Sequence, residues 1–309
     1  MLGKYIKRYR TEKKLTQVEF INKMQSADSS FSSLDEITVS RWENGKTRPT
    51  MRKQILLLMN MGYLSEFNNF ITPNKKKIEE LLSKRYKECF AQCDNPYAGK
   101  GANRKIYVRS YDKFPESRTE FYKSYLTEIH KVSVNDEDIS RLNNNLKSLS
   151  IHEFYTSTEF LLGHFVYFNI ENDFTQYLLQ KKLNTDYQFD KNNSIYIMSL
   201  YAVSKKIFYY QCKIIIEAVL RAQNRPKYFY VKCFFPEMIK YYEAIGGEVC
   251  FKGPECENGV KYYSSQYRWL MYRMDIVDVL ASKLFYVDEE LINDYFIIEG
   301  DSRDQDLAS

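Results

Sequence analysis

The sequence predicts an α+β multidomain protein: an all-α head over residues 1–71 and a mixed-sheet α/β domain over residues 105–287. Three observations carry this. Apolar residues recur at helical spacing, between capping residues, through the first seventy positions. From Lys105 onward, β-branched and aromatic runs alternate with helical stretches, the pattern of a sheet covered by helices. Between the two, residues 72–104 show a helical rhythm and then a loop with Asn95-Pro96, Gly99 and Gly101. Residues 288–309 form an acidic tail.

Composition narrows the class. Hydrophobic residues at 44% and aromatics at 16% suffice for a packed core and exclude a disordered chain. No apolar run approaches the ~20 residues that span a bilayer. The start, Met1-Leu2-Gly3-Lys4-Tyr5-Ile6-Lys7-Arg8, places charges where an export signal needs an apolar stretch. A cytoplasmic protein without a membrane partner is expected. The six cysteines, Cys89, Cys93, Cys212, Cys233, Cys250 and Cys256, are too few for a disulfide scaffold. None of the three histidines, His130, His152 and His164, sits at metal-ligand spacing. Reduced structural thiols and no metal are expected. Residues 1–55 hold twelve Lys and Arg against six Asp and Glu, whereas residues 288–309 hold eight acidic residues against one Arg. A basic head suits a polyanionic partner.

The head reads in order. Leu2, Ile6 and Tyr9 predict a helix to about Lys13. Thr16-Gln17-Val18-Glu19 is a capping box that opens a second helix to about Met24. The polar stretch Gln25–Ser33 predicts a solvated loop. Asp35 is an N-cap for a third helix over Glu36–Glu43, which Asn44-Gly45 ends. After Pro49 a fourth helix starts at Met51 and carries Ile55, Leu56, Leu57 and Leu58. Residues 64–71 add a short closing helix.

Leu15-Thr16-Gln17 together with Val39-Ser40-Arg41-Trp42-Glu43-Asn44-Gly45-Lys46-Thr47-Arg48-Pro49 resembles the Cro/CI-type (XRE) helix-turn-helix family. That resemblance implies a recognition helix in the major groove of double-stranded DNA, with Glu36, Ile37 and Arg41 at base-reading positions. Arg41 would fork onto a guanine and Glu36 would accept from a cytosine amino group. Thr38 and Ser40 lie on the same helix. Gln17 matches a backbone- or edge-contacting position, and Lys46, Thr47 and Arg48 would meet phosphates. Arg10 and Glu43 match an internal ion pair of the family, and Trp42 a core position. Gln25–Ser33 stands where one or two residues are usual.

The second domain follows. Strands are predicted at Ile106–Tyr111, Phe160–Ile170, Ser194–Val203, Lys227–Phe234, Glu248–Phe251 and Tyr267–Tyr272. Helices are predicted at Ser117–Val132, Asp136–Leu149, Ile207–Gln223, Pro236–Ile245 (with proline at its first position) and Ile276–Leu284. This order, with Tyr241-Tyr242 near a helix end and then Gly246-Gly247, resembles the GNAT N-acetyltransferase fold. The resemblance implies that Tyr196–Val203 splays from its neighbour, that acyl-CoA lies in the gap, and that its pyrophosphate sits on the next turn. That turn, Ser204-Lys205-Lys206-Ile207-Phe208-Tyr209-Tyr210-Gln211, has none of the family's glycines, so side chains crowd the approach of a phosphate. Lys205 and Lys206 either attract an anion or form a solvated turn. Tyr242 matches a thiolate-protonating position or serves packing. Tyr201, Val203, Lys205, Lys206 and Tyr242 are the candidate ligand residues.

The expected function is a homodimeric, sequence-specific DNA-binding transcription regulator. Its degenerate GNAT-like domain would bind a small-molecule effector, or mediate dimerisation, without turnover. The alternative is a working acyl-CoA-dependent N-acyltransferase fused to a DNA-binding domain.

Overall fold

The computed structural model describes residues 2–69, 105–128, 133–191, 194–221, 226–282 and 294–299. The expected linker helix and loop, Cys89, Cys93, His130 and most of the acidic tail lie outside these residues.

Four helices build the head: α1 (Leu2–Lys13), α2 (Gln17–Ala27), α3 (Glu36–Glu43) and α4 (Met51–Met61), followed by a 3-10 turn at Leu64–Asn69. Their starts follow the capping chemistry. The Thr16 hydroxyl accepts from the Glu19 amide while the Glu19 carboxylate accepts from the Thr16 amide. Asp35 accepts from the Thr38 amide at 2.6 Å, and Gly62 closes α4 at φ +81. Residues 25–33 depart from expectation. Helix α2 runs on to Ala27, Asp28 caps a 3-10 turn at Ser29–Phe31, and Phe31 is buried. Gln25 holds this segment by donating to the carbonyls of Ser32 and Leu34. One aromatic plug, invisible in the Ser/Asp composition, makes the segment part of the core.

The second domain begins with β1 (Ile106–Tyr111) and continues through α5 (Thr119–Glu128), α6 (Asp136–Asn145), β2 (Ser150–Tyr155), β3 (Leu161–Asn169), α7 (Asp173–Leu183), β4 (Ser194–Ala202) and α8 (Lys205–Arg221). Then come β5 (Tyr228–Cys233), α9 (Pro236–Ala244), β6 (Gly247–Lys252), β7 (Glu255–Tyr262), β8 (Ser265–Tyr267), β9 (Leu270–Asp275), α10 (Ile276–Ala281) and β10 (Phe296–Ile298). Eight strands form one mixed sheet in the order β10-β1-β2-β3-β4-β5-β9-β6, and β7-β8 form a separate hairpin. Strands β2, β7, β8 and β10 and helix α7 were not expected from the sequence; β10, paired in parallel with β1, lies within the stretch expected to be an acidic tail. Strand β2 carries His152 and Glu153, polar residues whose partners include Ser110 and Tyr122 from elsewhere in the fold.

Alternation along the strands splits the core into two layers. Ile195, Ile197, Phe229 and Val231 face α8, α9 and α10, in the same apolar cluster as the head's Leu57 and Phe67. Tyr196, Tyr230, Val166 and Phe168 face the opposite layer, with Leu126, Leu142 and Leu179 of α5, α6 and α7. Helix α4 lies against α10, where Arg52 pairs with Asp278 and stands 3.7 Å from Asp275. The four described cysteines are free thiols. Among the described residues no helix is long and apolar enough to cross a membrane.

Candidate functional site: the gap between β4 and β5

The middle of the sheet opens at one end. Strands β4 and β5 run parallel and pair from Ser194 with Tyr228 to Ile197 with Val231. Yet β4 continues to Ala202 and β5 to Cys233. The cause is local. The β3–β4 ladder shifts register so that Val166 opposes Ser199 and Tyr167 opposes Ile197, which leaves Met198 as the extra residue of a bulge. A bulge adds twist and bends its strand, carrying the end of β4 away from β5.

Two devices hold the bent end. Gly163 on β3 approaches so closely that an added Cβ would lie 2.6 Å from the Tyr201 carbonyl oxygen. Gln211 on α8 donates to the carbonyls of His164 (3.1 Å) and Tyr201 (2.8 Å).

The gap holds a cavity of about 130 Å³, walled by residues 197–202 of β4 and by Val231, Lys232, Phe234 and Phe235, with Tyr125, Met238 and Tyr242 closing it from the two helical layers. A second, almost wholly apolar cavity lies in the α5–α7 layer, and Met198 and Lys232 belong to both. Tyr242 is buried, its ring 5.2 Å from that of Tyr272. Lys232 is also buried, with its amine 5.1 Å from the centre of the Trp269 ring. Burial pushes its pKa down to about 7. Ser199 shares a 2.6 Å hydrogen bond with His164 Nε2. Full burial, with Arg118 adding to it, pushes the His164 imidazole down to about 3. The ring is therefore neutral at physiological pH, and its Nδ1 has no hydrogen-bond partner among the described residues.

Of the five expected ligand residues, Tyr201 and Tyr242 line the cavity. Val203 instead donates its amide to the Leu162 carbonyl. Lys205 and Lys206 stand at the start of α8 as expected. Their amines lie 5.1 Å from the Tyr209 ring and 3.2 Å from the Tyr295 ring, respectively. Sequence reading missed Lys232, Ser199, His164 and Tyr125. The signal for Lys232 was present: one charge inside the apolar run Tyr228-Phe229-Tyr230-Val231-Lys232-Cys233-Phe234.

In the head, Glu36, Ile37, Arg41, Lys46, Thr47 and Arg48 are exposed, Thr38 and Ser40 are half-buried, and Trp42 is buried. Gln17 donates to Glu43 Oε2 at 2.8 Å, and the same carboxylate receives a two-pronged contact from Arg10.

No protein-family profile matches the chain, and no curated protein does. Solved structures do. NAA60 of Arabidopsis thaliana with a bisubstrate analogue matches at 9% identity and a TM-score of 0.35, over 54% of this chain and 97% of its own. The AHL synthase LasI matches at 14% and 0.38, over 57% and 93%. FeeM, an N-acyl amino acid synthase from uncultured soil microbes, matches at 9% and 0.36, over 56% and 92%. At these values the likeness is one of layout, and the chemistry rests on this chain's own residues. The leading expectation of a DNA-binding transcription regulator is corrected here: the matched structures are named as NAA60, an AHL synthase and an N-acyl amino acid synthase.

Proposed function

We propose that the α/β domain transfers an acyl group from an acyl-coenzyme A thioester to an amine. The observation that carries this is the gap between two parallel strands, opened by the Met198 bulge and lined by Tyr242. Strand ends that leave a ladder present backbone N–H and C=O groups along the gap, suited to an extended amide-bearing arm. An amide N–H aimed at a thioester oxygen stabilises the charge that develops there as the amine attacks. In this reading the Tyr242 hydroxyl protonates the departing thiolate; its ring packs against Tyr241 and Tyr272.

The phosphate end fits in charge and less well in shape. Helix α8 begins at Lys205, just after β4 ends at Ala202, so its positive end and the Lys205 cation stand beside the parted end of that strand, while the Lys206 amine rests on the Tyr295 ring. Without glycine, the phosphates sit further from the backbone than in a glycine-lined turn, and lysine contacts carry more of the affinity.

The test is calorimetry of the full chain with acetyl-CoA, followed by thiol release over a panel of primary amines. Binding and amine-dependent thiol release are expected. No heat of binding eliminates the proposal. Tyr242→Phe is expected to lower kcat about 100-fold with little change in KM, the scale of a lost general acid; unchanged kcat removes that role.

A further inference from the structure

Resting on the reading above, we propose that Lys232 is the base that takes the proton from the attacking amine. The geometry singles it out. Its side chain leaves β5 at the point where the strands part, and it belongs to the walls of both cavities. It lies on the sheet face covered by α5, α6 and α7, whereas Tyr242 belongs to the layer of α8, α9 and α10. Acid and base candidates thus stand on opposite sides of the gap, as required when the amine approaches from one side and the thiolate leaves from the other.

A base must also have a free lone pair. Lys232 has no ion pair or hydrogen bond among the described residues; its amine contacts are the rings of Trp269 and Phe234. The titratable groups that share its cavities are Tyr125 from α5, the Asp138–Lys182 pair from α6 and α7, Tyr196 and Tyr201 from β4, and Tyr242 from α9. Asp138 and Lys182 neutralise one another at 2.6 Å, and burial pushes the Tyr196 hydroxyl well above its ordinary range. No carboxylate among the described residues therefore holds the Lys232 amine charged. Burial then leaves a large fraction neutral at physiological pH, matching the demand on a general base.

The step balances. The amine nitrogen bonds to the thioester carbonyl carbon, and its proton passes to Lys232 Nζ. The carbon–sulfur bond breaks, and the sulfur takes a proton from the Tyr242 hydroxyl. Lys232 later releases its proton to solvent and Tyr242 regains one. The products are an amide and free thiol.

The experiment compares the full-length protein with Lys232→Met and Lys232→Arg, using acetyl-CoA and the amine that releases most thiol. Both variants are expected to bind acetyl-CoA as the parent does. Lys232→Met is expected to melt at a higher temperature at pH 7, because it buries no amine. In both variants kcat should fall at least 100-fold with the amine KM within about threefold. The rise of kcat/KM centred near pH 7 should disappear. A raised amine KM with kcat and the pH profile kept would instead make Lys232 an anchor for a substrate carboxylate and overturn the proposal. An unchanged kcat and profile would make it a packing residue and overturn the proposal equally. Absence of acetyl-CoA binding by the parent itself would remove the proposed function, and this inference with it.

Discussion

Glu153 shows what a single buried charge does here. It is fully buried on β2, accepts hydrogen bonds from Tyr122 (2.7 Å) and Tyr155, and stands 3.6 Å from Arg118. Removing it strands two hydroxyls and leaves a guanidinium without its counterion. Glu153→Ala should therefore cost about 3 kcal/mol in urea unfolding, and a loss below ~1 kcal/mol would show that water replaces the carboxylate. His164 makes the corresponding pH argument. Its folded pKa is depressed to about 3, whereas an unfolded imidazole titrates near 6.5. Between these values the unfolded chain binds a proton that the folded one refuses, so stability is full above ~6.5 and falls as pH drops below it. The urea midpoint should decline from pH 7.5 to 5, and His164→Phe should flatten that decline. An equal slope in the variant would place the titration elsewhere. Neither environment is readable from the residue alone, because partners such as Tyr122 for Glu153 and Ser199 for His164 lie 31 and 35 positions away in the chain.

At the scale of elements, caps and close approaches decide. The Asp35 carboxylate is held below its ordinary range by the Thr38 side chain and amide. Its stabilisation of α3 is present above the unfolded carboxylate pKa and fades as pH falls through the lower folded value. Asp35→Asn keeps an acceptor and should remove that part of the acid sensitivity, seen in amide exchange of residues 36–43. The capping box at Thr16 and the Asp35 cap were recoverable from the sequence because the interacting atoms lie three residues apart. Strand β2 and helix α7 were not, since hydrophobic rhythm is blurred where polar side chains find distant partners. Gly163→Ala tests the close approach that shapes the gap. Its Cβ meets the Tyr201 backbone, so β3 and β4 must part, at about 1–3 kcal/mol and with weakened acetyl-CoA binding. Full stability and binding would show that the bulge alone bends β4.

At the scale of the molecule, the helical head and one face of the sheet share an apolar cluster that runs from α1 to α10. Arg52, with Asp278 and Asp275, sits at the seam. Being 42% exposed, its side chain contributes at most ~1 kcal/mol; burial holds the seam. Calorimetric melting should therefore show one transition, barely shifted by Arg52→Ala. Two resolved transitions would mean that the head unfolds by itself.

What the amino-acid order alone settled were features written over a few residues: caps, helix spans, the apolar strands, and the succession that suggested a splayed mixed sheet. What folding decided was which side chains meet. The Met198 bulge depends on β3 pairing with β4, and the weakened basicity of Lys232 on apolar neighbours from separate elements. Local hydrogen bonding is encoded by spacing, whereas electrostatics and cavity shape depend on groups brought together only when the chain closes on itself.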